Sequence, residues 1–281
     1  MPSIPYDASR EALLQPARRD TVFRPGDAAM SVAVVCAEAS RLAYLKFEGD
    51  AAQKRRLDDA LALAALEAAV PMSAADTDTQ AFATRFPDGR RRIVFRGTEP
   101  DSVGDIGTDL LATLVDWPPG GKVHRGFARA FASVREMIDH WLRDPPGGPI
   151  LFTGHSLGAA LATLAASHFG PACLLTFGSP RVGDETFSAT FSPACVHRYV
   201  NCCDVVTRVP PEGLWYRHAR EARYIDRTGT LRRDATPEDC EADQATARGD
   251  YALESAWVFG NVLLRDLADH APINYVRALF P

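Results

Sequence analysis

The five residues Gly154-His155-Ser156-Leu157-Gly158 constrain this chain more than any other part of it. They close a short apolar run, Ile150-Leu151-Phe152-Thr153, and open an alanine-rich stretch from Ala159 to Ala166. The run has the length of a buried strand and the alanines favour a helix, so the serine falls on the turn between them. Strand, small-residue turn and helix make a nucleophile elbow, a strained turn that lifts a serine hydroxyl above a sheet. The flanking glycines let neighbouring backbone approach without a Cβ clash.

The rest of the chain supplies a sheet for that elbow. Residues 1–27 carry Pro2, Pro5, Pro16 and Pro25 and read as an irregular N-terminal segment on the surface. Ala28 to Phe47 and Gln53 to Val70 have helical apolar spacing, with Pro71 ending the second. Thr79 to Phe86 and Arg91 to Arg96 read as strands joined by a Pro87-Asp88-Gly89 turn. Glu99 to Lys122 is a glycine- and proline-containing excursion, and Gly126 to Leu142 is a helix. Cys173 to Phe177 and Val196 to Val200 are strands, Asp184 to Phe191 is a short helix, and Trp215 to Ile225 holds one or two more strands. The span 226–250 reads as a polar, solvated insertion, and Tyr251 to Leu267 as a helix with a stripe through Leu253, Trp257, Leu264 and Leu267. Alternating strands and helices predict an α/β fold, a mostly parallel sheet covered on both faces, in a single domain over residues 1–281.

Composition narrows the function. The chain has 281 residues, 46% hydrophobic and 24% charged, enough for a large core. A net charge of -5 argues against nucleic acid as a partner. No stretch is apolar enough to span a bilayer, and the N-terminus lacks the regions of a secretory signal. The expectation is a cytoplasmic protein, or a secreted one had a leader been removed beforehand. The six cysteines include no C-x-x-C pair, so reduced thiols and no zinc site are expected. The acidic residues between Asp226 and Asp250 could hold calcium loosely, but a solvated loop explains them as well. No metal and no cofactor is expected.

A serine hydroxyl needs a base to take its proton and a third group to orient that base. On a strand–elbow–helix frame the acid and then the histidine follow the serine in the chain. Asp204, just beyond the strand ending at Val200, places a carboxylate at the elbow's edge of the sheet. A turn-forming aspartate capping the strand end is the competing reading, and Asp184 and Asp226 are rivals that look like a helix start and a turn. Among seven histidines, His155 is within the elbow, and His124, His140, His168 and His197 precede the acid. His218 falls in an expected strand. His270, beside Asp269 in a loop near the C-terminus, is the choice for the base. The oxyanion donors would be the backbone N–H of Leu157, at a helix start, and Thr98, after the strand that ends in Arg96-Gly97. An ordinary turn would also explain Arg96-Gly97-Thr98.

Five ordered segments now carry a resemblance. They are Ile93-Val94-Phe95-Arg96-Gly97-Thr98, Val123-His124-Arg125-Gly126-Phe127, Gly154 to Ala162, Thr176 to Gly183, and Asn201 to Pro211. Together the chain resembles the class 3, fungal-type lipases of the α/β-hydrolase fold. The resemblance implies Ser156 as nucleophile, Asp204 as acid, His270 as base, and Thr98 and Leu157 at the oxyanion hole. It implies that Asp109 steadies Thr98, that His124 is structural, and that His218 lies in a family strand. Two departures stand out. Ile106 or Gly107 occupies the place of a family tryptophan, and Glu99-Pro100-Asp101-Ser102-Val103-Gly104-Asp105 is acidic where the family begins a lid. That composition predicts weak interfacial activation.

The function expected is a serine carboxylic ester hydrolase, a lipase or esterase, with an acyl ester or lipid substrate and transient contact with a lipid interface. Alternatives are a phospholipase A1, an acyltransferase using the same acyl-enzyme, or a non-catalytic lipid-binding relative.

Overall fold

The computed structural model describes residues 4–25, 30–86, 88–98, 113–143, 148–170, 172–192 and 195–280. Its strands are β1 (Val70–Ala74), β2 (Thr79–Arg85), β3 (Arg91–Phe95), β4 (Leu114–Asp116), β5 (Lys122–His124), β6 (Ile150–His155), β7 (Cys173–Phe177), β8 (Val196–Asn201), β9 (Ala222–Ile225) and β10 (Leu231–Arg232). One sheet has the order β1-β2-β3-β6-β7-β8-β9-β10, and β4 and β5 form a separate hairpin. From β3 to β9 the neighbours run parallel; β1, β2 and β10 extend the edges antiparallel. The mostly parallel sheet expected from the alternating pattern is present, in the α/β-hydrolase architecture that the resemblance implied.

Helices cover both faces because successive strand side chains point opposite ways. Those described are α1 (Arg10–Leu14), α2 (Val32–Leu42), α3 (Ala51–Leu63), α4 (Arg125–Arg143), α5 (Leu157–Phe169), α6 (Glu185–Ala189), α7 (Pro237–Glu254), α8 (Arg265–Ala268) and α9 (Pro272–Leu279). Ile93 and Phe95 of β3 pack with Phe127, Phe131 and Leu161 of α4 and α5. The intervening Val94 faces Leu42, Leu57 and Leu61 of α2 and α3. Leu175 and Phe177 of β7 meet Ile273 and Val276 of α9 on that same second face.

Several expectations are corrected. The segment 1–27 is not wholly irregular: Ser9 caps the short α1 through Ala12 N–H, and Leu13 is buried. The same segment is tied down by Arg41, whose guanidinium reaches the carbonyls of Pro16, Arg19 and Asp20. The segment 226–250 is not a loose loop, since α7 occupies its second half. A reciprocal capping box between Thr236 and Asp239 starts that helix, Pro237 suits its first turn, and Ala247 and Tyr251 anchor it in the core. The helix expected from Tyr251 to Leu267 breaks after Glu254. The chain turns through Gly260 at φ 90°, and Asn261 bridges to Ser9. The helix expected to reach Val70 stops at Leu63. Ala65 turns left-handed, Leu66 N–H closes onto the Leu61 carbonyl, and Val70 opens β1 instead. His218 is outside the sheet: only neighbouring Arg217 makes a bridge, to Gly183, and the His218 Nε2–H donates to the Thr207 carbonyl at 2.8 Å.

Candidate active site

β6 ends at His155 and α5 begins at Leu157, so Ser156 alone makes the turn. Its backbone stands at φ 58° and ψ -128°, a region costing a non-glycine residue about 1–3 kcal/mol. The surroundings enforce it. Ser156 N–H donates to the Phe177 carbonyl at 3.0 Å. A Cβ on Gly154 would come within 2.3 Å of the Gly158 carbonyl, and one on Gly158 within 2.3 Å of the Phe95 carbonyl. Both glycines are therefore required by contact between strand and helix. The result is a hydroxyl held over the carboxyl edge of the sheet at the N-terminus of α5, where unpaired N–H groups favour negative charge.

Asp204 and His270 come to that hydroxyl from later elements. Asp204 follows β8 across a turn in which its N–H donates to the Asn201 carbonyl, and it is fully buried. His270 sits between α8 and α9. Its Nδ1 lies 2.9 Å from Asp204 Oδ2 and 3.0 Å from Oδ1, and its Nε2 lies 3.0 Å from Ser156 Oγ. An ionised carboxylate only accepts, so the proton belongs on Nδ1 and Nε2 is left to accept from the serine hydroxyl. Gly178, at φ 60°, packs beneath the pair: a Cβ there would come within 2.8 Å of Asp204 Oδ2 and 3.1 Å of the imidazole.

The residues around this cluster were only partly visible in sequence. Tyr275 on α9 is buried and donates to Asp204 Oδ2 at 2.5 Å while accepting from Asn201 N–H. The Val206 N–H adds a donor to Asp204 Oδ1 at 2.9 Å. The pattern Pro272-Ile273…Val276…Leu279 could have announced a helix after His270, but nothing local selects its tyrosine as a partner of Asp204. Tyr275→Phe removes a hydrogen bond to a charged group and leaves Asn201 N–H without its acceptor. Such a bond contributes about 1.5–3 kcal/mol, so kcat is expected to fall roughly tenfold to a hundredfold. Unchanged kcat on a soluble ester would show that Asp204 needs no help from α9.

His155 does point away from the reaction, as its place in the elbow suggested, but it is not idle. Its Nε2–H donates to the His270 carbonyl at 2.8 Å, and its Nδ1 meets the Tyr44 hydroxyl at 2.9 Å. Burial, and then the nearby His270 charge, hold its pKa well below the ordinary histidine value. A histidine neutral in the fold but protonated when unfolded adds stability that is complete above about pH 6.5 and is lost as pH falls below it. The slope in that acid window is expected to reach about 1.4 kcal/mol per pH unit. Urea midpoints of wild type and His155→Gln at pH 7.5 and 5.5 check this: the variant should show the shallower acid decline, and parallel declines would refute it.

Thr98 is exposed, one residue beyond Gly97, where a Cβ would clash with the Tyr44 hydroxyl and the His155 carbonyl. Arg96, just before it, clamps the loop after α2 through the Ala43 and Leu45 carbonyls and Glu48. Leu157 opens α5 beside Ser156. Asp109 and the segment from Glu99 to Gly107 lie outside the described residues. His124 is buried, stacked on Phe127 with ring centroids 4.0 Å apart, far in role from the Ser156 cluster. Among the described residues one group has metal-ligand proximity, Cys202, Cys203 and Asp269. It is fully buried, and Asp269 already accepts from Tyr6, Arg265 and the Cys203 N–H. The Cys202 thiol is raised far above its usual range by its neighbour Cys203 and by burial, which disfavours a metal-binding thiolate.

Comparison with known proteins agrees with this arrangement. Residues 92–214 match the family model described as lipase (class 3). A lipase of Rhizomucor miehei is 32% identical over 172 residues, covering 55% of this chain and 46% of that protein. The chloroplastic phospholipase A(1) DAD1 of Arabidopsis thaliana is 36% identical over 155 residues, covering 43% of this chain and 34% of that one. The chain thus spans less than half the length of these curated relatives. A solved propeptide complex of Rhizomucor miehei lipase, in a deletion-mutant form, superposes with a TM-score of 0.56 at 28% identity, over 69% of this chain and 64% of that one. The elbow, the parallel sheet and the ordered match through residues 92–214 make the chain similar to the class 3, fungal-type lipases of the α/β-hydrolase fold.

Proposed function

We propose that the chain hydrolyses carboxylic esters of acylglycerol type through an acyl-enzyme on Ser156. The single observation behind this reading is the continuous chain of contacts from Ser156 Oγ through His270 to buried Asp204, at 3.0 and 2.9 Å. His270 Nε2 takes the serine proton as Oγ attacks the ester carbonyl. The N–H groups of Leu157 and Thr98 receive the oxyanion, His270 protonates the departing alcohol, and water then releases the acid by the same relay. A fluorophosphonate probe should label Ser156 and abolish turnover; a protein that turns over esters with Ser156 unlabelled would sink the assignment.

The similarity to a phospholipase A(1) supports a second substrate class. Relative rates on trioctanoin and dioctanoyl phosphatidylcholine separate the two, since the chemistry at Ser156 is common to both.

Contact with a lipid surface is supported by one segment. Leu253, Trp257, Val258, Phe259, Leu263 and Leu264 are all exposed, Trp257 at 84% and Phe259 fully. Between Leu253 and Leu264 the only ionisable side chain is Glu254. The turn is held firmly by Arg10 N–H on the Gly260 carbonyl, Val262 N–H on the Ala8 carbonyl and the Tyr251 hydroxyl on the Val262 carbonyl. Burying two such side chains contributes about 3–6 kcal/mol. Trp257→Ser with Phe259→Ser is therefore expected to weaken binding to a trioctanoin–phosphatidylcholine emulsion at least about tenfold. Hydrolysis of dissolved p-nitrophenyl butyrate should not change. Equal emulsion binding by the double variant would remove this segment from consideration.

A further inference from the structure

The parallel strands have a second edge. β3 pairs with β6 from Arg91 opposite Ile150 to Phe95 opposite Gly154, so Arg91 and Arg92 open the strand at the edge away from Ser156. Ile150 precedes Ser156 by six residues of extended chain, a separation of about 20 Å. A cleft of about 400 Å³ lies at that edge, between the start of α2 and the first residues of the parallel strands. Arg90, Arg91, Arg92, His197 and Arg223 line it, and no acidic residue is among the described lining. Arg90 has an exposed partner, Asp88, outside the cleft.

Arg92 is the anomaly. Four arginines are buried among the described residues: Arg41, Arg91, Arg92 and Arg96. Arg41 pairs with Glu38, Arg96 pairs with Glu48, and Arg91 donates to the carbonyls of Gly148 and Leu142. Arg92 is 1% exposed, yet its Nε and Nη1 are buried with no hydrogen-bond partner among the described residues. Its guanidinium lies 4.7 Å from the centroid of the Phe86 ring, and it forms no ion pair among the described residues. A ring face softens the loss of water but satisfies no N–H group.

A second feature favours the same charge. Val32 and Ala33, in the first turn of the eleven-residue α2, line the cleft, and no acidic side chain occupies that turn. A helix start presents backbone N–H groups and a partial positive charge. The remaining wall is apolar, with Leu151, Leu175 and Tyr199 facing the same space. A buried arginine without a counter-charge among the described residues, beside an apolar wall, selects a ligand with both characters.

We propose that this cleft binds an amphiphilic oxyanion, its head group on Arg92 and the first turn of α2 and its aliphatic tail against Leu151, Leu175 and Tyr199. The flat guanidinium offers paired donors suited to carboxylate or phosphate oxygens. The site is separate from Ser156 and does not depend on the chemistry proposed there.

Two free cysteines, Cys173 and Cys195, line the cleft and report on its occupancy. Their labelling by N-ethylmaleimide, read by peptide mass spectrometry, is measured with decanoate, decyl phosphate, decanol and acetate. Decanoate or decyl phosphate at saturation should slow labelling at least about threefold, and whichever protects at lower concentration identifies the head group. Decanol lacks the charge and acetate lacks the tail, so neither should protect. Arg92→Met should abolish protection while leaving hydrolysis of a dissolved ester intact. Arg223→Met, on an exposed side chain, should weaken protection and serves if the Arg92 variant fails to fold. Protection by decanol equal to decanoate, no protection by either anion, or full protection in folded Arg92→Met would each overturn the proposal. Because the readout is thiol labelling, it stands whether or not Ser156 hydrolyses esters.

Discussion

Ser156→Ala is expected to reduce kcat on p-nitrophenyl butyrate by about 10⁵–10⁶. The remaining groups do not substitute for the missing oxygen. His270 Nε2 keeps its position 3.0 Å from where Oγ stood, but it could then act only on water. The proposed oxyanion donors alone would sustain only a small residual rate, about 10³–10⁴ above the uncatalysed reaction. The elbow itself should survive, because its positive-φ backbone is imposed by Gly154, Gly158 and the Phe177 carbonyl rather than by the hydroxyl. The check is kinetic and structural together: lost turnover and lost fluorophosphonate labelling, with a urea midpoint within experimental error of wild type. Turnover retained by the purified variant would mean that another group attacks the ester.

Asp204→Asn should cost about 10⁴ in kcat with little change in KM, for a different reason. The amide is nearly isosteric and can still accept the Val206 N–H through its oxygen. Its NH₂ would then face His270 Nδ1 and the Tyr275 hydroxyl, where the carboxylate had accepted from both. Nδ1 would become the acceptor and the imidazole would carry its proton on Nε2, aimed at Ser156, in the wrong tautomer to act as base. Asp204→Ala would confound this with a cavity and three unmet donors in a fully buried place. A loss below about tenfold for the asparagine variant would show that the histidine tautomer is not controlled from residue 204.

Local signals were legible and long-range ones were not. The strands β2, β3, β6, β7 and β8 follow from apolar runs bounded by turn residues, and α4 follows from its 3.6-residue spacing. Failures gathered where a tertiary contact outweighs local pattern. Leu253, Trp257 and Leu264 look like one face of a helix, yet the chain leaves α7 at Glu254 because Asn261, Val262 and Gly260 bond to the N-terminal segment. Val70 continues a helical stripe but becomes an edge strand, where β2 offers it a ladder. The span 226–250 reads as a solvated insertion until Thr236 and Asp239 are seen capping α7 reciprocally, with Pro237 in its first turn.

By itself the order of residues determined the elbow, since only small side chains allow a strand and a helix to meet around one serine. It also limited the partners of that serine to acids and histidines that follow it. Tertiary structure decided the rest. Asp204 and Tyr275 are 71 residues apart, and His270 and Ser156 are 114 apart. It likewise left Arg92 buried without a counter-ion among the described residues and Trp257 in the open. Side-chain periodicity reports which face of its own element a residue occupies. Hydrogen-bond partners and counter-charges depend on which other element packs there, and that information exists only after the chain has folded.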